Sequence, residues 1–142
     1  MSRRIRFLLA HPVDAAVVLG WMSAVEVAVR VLPLPRLASL IGSPLGIADP
    51  PRELAAPPEL RGSERRRLLL LDALGRRWPF GSGPCLRQAL VAGRILRRHR
   101  PVLRIGAALS HSDVVGHAWL EVGALELGHS EDFTALVVAP GP

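Results

Sequence analysis

A chain of 142 residues, 49% of them apolar, fits one domain with a packed core, and this excludes a globally disordered segment. Its formal charge of +6 comes from 18 basic residues, all Arg, against 12 acidic ones, and favours acidic partners: an acidic peptide, anionic lipid or nucleic acid. The single cysteine excludes an internal disulfide and a multi-cysteine zinc site, and it suits a reducing, cytoplasmic compartment.

Behind Arg3, Arg4 and Arg6, the apolar stretch 7–34 has the outline of a signal sequence or a membrane span. Asp14 and Glu26 lie inside it, and His11-Pro12 interrupts its start. An Asp at mid-bilayer costs about 3 kcal/mol on insertion scales, so a soluble helix is expected, with membrane contact left to a peripheral role. Pro12 as first helical residue and Pro33 and Pro35 as the stop predict a helix over 12–31. Trp21, Val25, Ala28 and Leu32 would line its buried face.

Residues 33–62 hold seven of the 13 prolines and read as a connector with at most short helical turns, as at 37–41. This divides the chain into an N-terminal helix with its Pro-rich connector, 1–62, and a folded unit, 63–142. A second helix is expected from Ser63 as N-cap, with Leu68, Leu71 and Leu74 turned inward, ending near Gly75 to Trp78. The loop Pro79-Phe80-Gly81-Ser82-Gly83-Pro84 then delivers Cys85 to the first turn of a third helix, 85–99. Leu86, Ala89, Leu90, Gly93 and Leu96 give that helix a packed face, with Arg87, Arg94, Arg97 and Arg98 mostly outward. Small residues at Ala89, Ala92 and Gly93 would let it lie close against a sheet.

Beyond residue 101 the period becomes strand-like. Strands are expected at 102–108, at 115–122 after a turn and bend at 111–116, at 125–128, and at 133–138. Gly123-Ala124 is a two-residue hairpin turn of the kind that places Gly first. Helices first and an antiparallel sheet after give an α+β fold, with the Cys85 helix packed on a small antiparallel sheet.

The chemistry concentrates at two residues. A cysteine in the first turn of a helix meets free backbone N–H groups and the positive end of the dipole, which favour a thiolate and can bind an oxyanion. A lone cysteine is nonetheless more often a small buried apolar residue. His117 opens the strand run Gly116-His117-Ala118-Trp119-Leu120-Glu121-Val122, from which an imidazole can face a packed helix and move a proton. Either residue alone is weak evidence. Cysteine first and histidine 32 residues later, helix facing strand, is the chain order of papain-like peptidases. His11, His99 and His111 have no metal-binding spacing, and neither a metal nor a cofactor is expected.

Residues 78–138 carry a resemblance. Pro84-Cys85-Leu86-Arg87-Gln88-Ala89-Leu90, Leu103-Arg104-Ile105-Gly106-Ala107 and His117-Ala118-Trp119-Leu120-Glu121-Val122 resemble the lasso-peptide maturation proteases, transglutaminase-like leader peptidases. The resemblance implies a cysteine peptidase that cuts the leader from a ribosomally made precursor. It acts with a small leader-recognition protein and an ATP-dependent macrolactam cyclase. It implies Cys85 as nucleophile and His117 as base. The third catalytic position, usually an Asp 12 residues after the His, falls on His129. Glu126, Glu131 and Asp132 are nearby carboxylates that could substitute. Trp78 and Phe80 are candidates to line a substrate groove, and Trp119, on the His117 face of its strand, to shield the catalytic pair. Three rival readings stand beside this one: a catalytically impaired scaffold of the same fold, motivated by the missing Asp; an acyl transferase sharing the thioester; and a basic nucleic-acid binder. The last rests on charge and the run Arg65-Arg66-Arg67, with no aromatic platform, so no nucleic-acid partner is expected.

Overall fold

The computed structural model describes residues 3–46, 56–79, 84–128 and 134–135. Five helices precede a four-stranded antiparallel sheet: α1 Arg3–Ala10, α2 Pro12–Val31, α3 Leu34–Ile41, α4 Gly62–Gly75, α5 Pro84–Ile95, then β1 Val102–Ser110, β2 Asp113–Val122, β3 Leu125–Leu127 and β4 Thr134–Ala135. The α+β order expected from the sequence is the observed one.

Helix α2 has Pro12 at its first position and stops where Leu32 turns extended, as the residue before a proline tends to. Its buried stripe is Ala15, Val18, Met22 and Val25, so the predicted face is corrected by about a quarter turn. Trp21, Ala28 and Leu32 pack at its margin. The helix is long and apolar enough to cross a membrane by length and composition. Its two acids, however, are both engaged by arginines of the helical layer, as described below. The connector is more helical than expected: Leu37, Ala38 and Ile41 fold into two turns of α3 and enter the core.

Helix α4 begins one residue before Ser63. Glu64 caps it by accepting the Arg61 N–H at 2.8 Å, so the cap comes from the third helical position and not from Ser63. Leu70 and Leu71 are its buried leucines, while Leu68 turns toward a cleft. Helix α5 is shorter than predicted, ending at Ile95 before a single 3-10 turn at Arg97–His99. Ala89 through Gly93 are all buried, because α5 is packed between α2 and α4 on one side and β2 on the other. The buried side chains of α2, α3, α4, α5 and the sheet form one cluster.

The sheet order is β3-β2-β1-β4. β2 starts at Asp113, two residues earlier than predicted. His111 and Ser112 both take positive φ, 48° and 76°, and close a two-residue turn between the paired Ser110 and Asp113. Two successive left-handed residues define a type I′ hairpin, usually signalled by Asn or Gly, which this turn lacks. At the other end Gly123, φ 58°, makes the expected tight turn and Val122 pairs with Leu125. Strand alternation puts Leu103, Ile105, Ala118, Leu120 and Val122 on the face that joins the helical core. The opposite face carries Arg104, Trp119 and Glu121, all buried, with Arg104 Nε 2.8 Å from Glu121 and Nη1 2.6 Å from the Gly46 carbonyl.

Candidate active site

Pro84 and Cys85 are the first two residues of α5. Proline has no N–H to lose at a helix start, and Cys85 follows where backbone N–H groups have no helical acceptor. The thiol is free and half-buried. α5 packs chiefly on β2, and its first turn and His117 border the same clefts. Cys85, His117 and Ala118 are common walls of two adjoining clefts. One, of about 380 Å³, runs between α4, α5 and the end of β3, past Leu68, Asp72, Gln88 and Gly128. The other, of about 260 Å³, opens past Leu86, Ile105 and Gly116. The two residues singled out from the sequence therefore line the same two clefts.

His117 is held on two sides. Its Nε2–H donates to the carbonyl of Gly128, just beyond β3. Its ring also stacks on Trp119, centroids 6.2 Å apart and planes 20° from parallel. A carbonyl oxygen can only accept, so Nε2 carries the hydrogen and a neutral imidazole has Nδ1 as its basic nitrogen. Position 128 adjoins the position expected to supply a third catalytic residue. His129 itself, and with it Glu131 and Asp132, lies outside the described residues, as does Phe80. Glu126 is exposed and pairs across the ladder with Glu121. Trp119 is 2% exposed and lies beside His117 without lining either cleft.

Trp78 does not line the groove either. Its Nε1–H donates to Glu26 at 3.3 Å, and the ring packs beside Pro84, Arg87 and Met22. Glu26 belongs to α2 and also accepts from Arg87 at 2.5 Å and from Arg30 at 2.6 Å. Arg87, expected to point outward, is thus drawn inward two residues after Cys85, because a buried carboxylate must be paired. Arg94 is likewise not free in solvent: its guanidinium stands over Trp21, 4.5 Å from the ring centroid. The bond from Arg87 outweighs burial and, helped by Trp78, holds the Glu26 carboxyl below its usual range. Hydrogen bonds from Arg67 and Arg66 lower Asp14 in the same way. In Glu64, burial opposes ionisation, but the bonds from His99 and the Arg61 N–H prevail and the carboxyl is again lowered. These clusters were missed in the sequence, where the one available signal was two acids inside an apolar helix. Among the described residues no group of His, Cys, Asp and Glu could hold a metal ion.

Cys85 at a helix start and His117 on a strand line the same clefts of an α+β domain, which makes them the candidates for a cysteine-histidine pair of the papain and transglutaminase type. Residues 24–138 match the family model of the transglutaminase-like superfamily, and the chain belongs to that superfamily, which includes cysteine peptidases. Among curated proteins and solved structures nothing matches the chain significantly.

Proposed function

We propose that the protein is a cysteine peptidase that removes the leader from a ribosomally made lasso-peptide precursor. The observation that carries the peptidase reading is that Cys85 and His117 line the same two clefts, with His117 oriented through Nε2. His117 takes the Cys85 proton, and Sγ attacks the scissile carbonyl carbon. Backbone N–H groups at the start of α5 face the resulting oxyanion. His117 returns the proton to the leaving amine. Water, deprotonated by His117, then hydrolyses the thioester and releases the acid. The lasso-precursor substrate follows from the motif resemblance, as do a small leader-recognition protein, an ATP-dependent macrolactam cyclase that closes the ring on the freed amine, and a cytoplasmic setting. In this reading the Gly128 carbonyl orients His117, with position 129 as the site of any added side-chain help.

A second reading, a scaffold with impaired catalysis, is favoured by one observation: a neutral carbonyl stabilises an imidazolium less than a carboxylate does. One experiment separates the two. Precursor, recognition protein and either wild type or Cys85→Ala are incubated together, and cleavage is followed by mass spectrometry. The peptidase reading expects a loss of at least about 10⁴ in rate with unchanged thermal unfolding. Equal processing by the variant would sink it, and a wild type that binds precursor without cutting it would leave the scaffold.

A further inference from the structure

A surface helix ordinarily turns charged residues to water, and α2 does not. Its buried stripe packs on α4 and α5, and the stripe opposite is Val13, Ala16, Gly20, Ala24, Val27 and Val31, all of them exposed. Val13, Val27 and Val31 are 73%, 61% and 69% exposed, and the space around Gly20 is open where a side chain would stand. This stripe runs about five turns without a charge. Leu9, near the end of α1 and four residues before Val13, is 65% exposed as well. The charge carried by the same part of the chain shows one sign to solvent. Residues 3–46 hold five arginines and two acids. Both acids, Asp14 and Glu26, are buried on the core side of α2 and bound by arginines of α4 and α5. Arg6, Arg30 and Arg36 are exposed, and Arg30 flanks the apolar stripe next to Val31.

We propose that α1 and α2 dock the protein on an anionic lipid surface, the apolar stripe of α2 entering the headgroup boundary and the arginines pairing with lipid phosphates. A long exposed apolar patch marks an interaction site, and one accompanied by guanidinium groups alone complements an acidic bilayer surface. The helix lies on the bilayer and does not span it. Spanning would pull Asp14 from Arg66 and Arg67, and Glu26 from Arg87, leaving buried charges unpaired. A second copy of the chain is a poorer occupant, because it would bring the same positive charge against this face. Among the described residues none of α1 or α2 lines the clefts beside Cys85 and His117. Docking through the outer stripe therefore leaves both clefts open to water, whatever reaction they serve.

The test sediments the full chain with vesicles of phosphatidylcholine alone or of an equal mixture with phosphatidylglycerol. The chain should bind the anionic vesicles at least about tenfold more tightly than the neutral ones, and less tightly as salt is raised. Val13→Glu combined with Val27→Glu, both at exposed positions, should keep the wild-type melting temperature and lose at least about tenfold in affinity for the anionic vesicles. Arg6→Gln, which leaves the apolar stripe intact, should lose about fivefold. No sedimentation of wild type with anionic vesicles, equal binding to neutral ones, or undiminished binding by both variants would overturn the proposal. So would a concentration-dependent dimer that the double variant abolishes while no vesicle is bound, since the stripe would then belong to a second copy.

Discussion

Gly93→Ala should unfold this protein more easily, against the usual rule for helices. In an exposed helix interior the change stabilises by about 1 kcal/mol, because Ala loses less backbone entropy. At Gly93 an added Cβ would stand 2.8 Å from Ser43 Cβ, closer still to Ser43 Oγ, and 3.4 Å from Leu120 Cδ1. Ordinary contact for such atoms begins near ~3.5 Å. Ser43 is fully buried just after α3, so it has nowhere to retreat. Either α5 lifts from the α3 end or the Ser43 backbone shifts. Overpacking of this kind costs about 1–3 kcal/mol, which outweighs the helix gain or at best cancels it. Urea unfolding measures the difference, and Ser43→Gly in the same chain should recover most of it, giving a double-mutant coupling above about 1 kcal/mol. Ser43→Ala alone should cost little, since the Ser43 hydroxyl is buried with no hydrogen-bond partner among the described residues. Because α5 carries Cys85, Gly93→Ala should also lower kcat more than it raises KM. A Gly93→Ala protein more stable than wild type, or one not rescued by Ser43→Gly, would refute the close approach of α3 and α5.

Acid should loosen the helical layer in a defined window. Asp14, Glu26 and Glu64 all have folded pKa values lowered from 3.8, 4.5 and 4.5, so their stabilisation is complete above those values and is lost as pH falls through the lower folded ones. Melting temperature followed from pH 7 downward should therefore fall below about pH 4.5, and less steeply in Glu26→Gln; equal slopes would contradict the pairing with Arg87. His129→Ala should reduce kcat by less than about tenfold if the Gly128 carbonyl orients His117, whereas loss of a true triad acid costs about 10⁴. A drop of that larger size would put the side chain of His129 in the triad. Truncating Leu70, fully buried in α4, to Ala should cost about 2–5 kcal/mol in urea unfolding with wild-type m-value; a smaller loss would mean that α4 is not part of the common core.

What could be read from the sequence was set by local chemistry. Proline fixes φ and lacks an N–H, so both ends of α2 were legible from Pro12 and Pro33. Gly123 marked a hairpin because its φ of 58° is costly for other residues, and that turn fixed the β2–β3 register. The His111-Ser112 turn takes the same left-handed conformation without glycine, so nothing local announces it and β2 begins two residues before its expected start. Cys85 stands out because a helix start is a local signal, whereas His117, expected at a strand entrance, sits in the middle of β2, and α5 packed on β2 places both beside the same clefts. The partner of His117 was not legible in the same way. A main-chain carbonyl has no residue type, so the bond from His117 to Gly128 carries no signature in the sequence, and the candidate at position 129 lies outside the described residues.

The charged residues show the same limit and explain why the helical layer belongs to the site. Arg66 and Arg67 read as a solvated basic run, yet both bind Asp14, 52 and 53 positions away in sequence. Arg87 read as outward, yet it reaches 61 positions back to Glu26. Helical periodicity assigns a face to a residue but cannot say which neighbouring element covers that face. Long-range pairs of this type form only because α2, α4 and α5 are packed together, and burial then makes each pair hard to break from one side. Glu26 gathers Arg30 of its own helix, Trp78 from the end of α4 and Arg87 from the first turn of α5. The position of Cys85 along the groove is therefore set twice: by α5 lying on the sheet below, and by a carboxylate of α2 gripping the same turn from above.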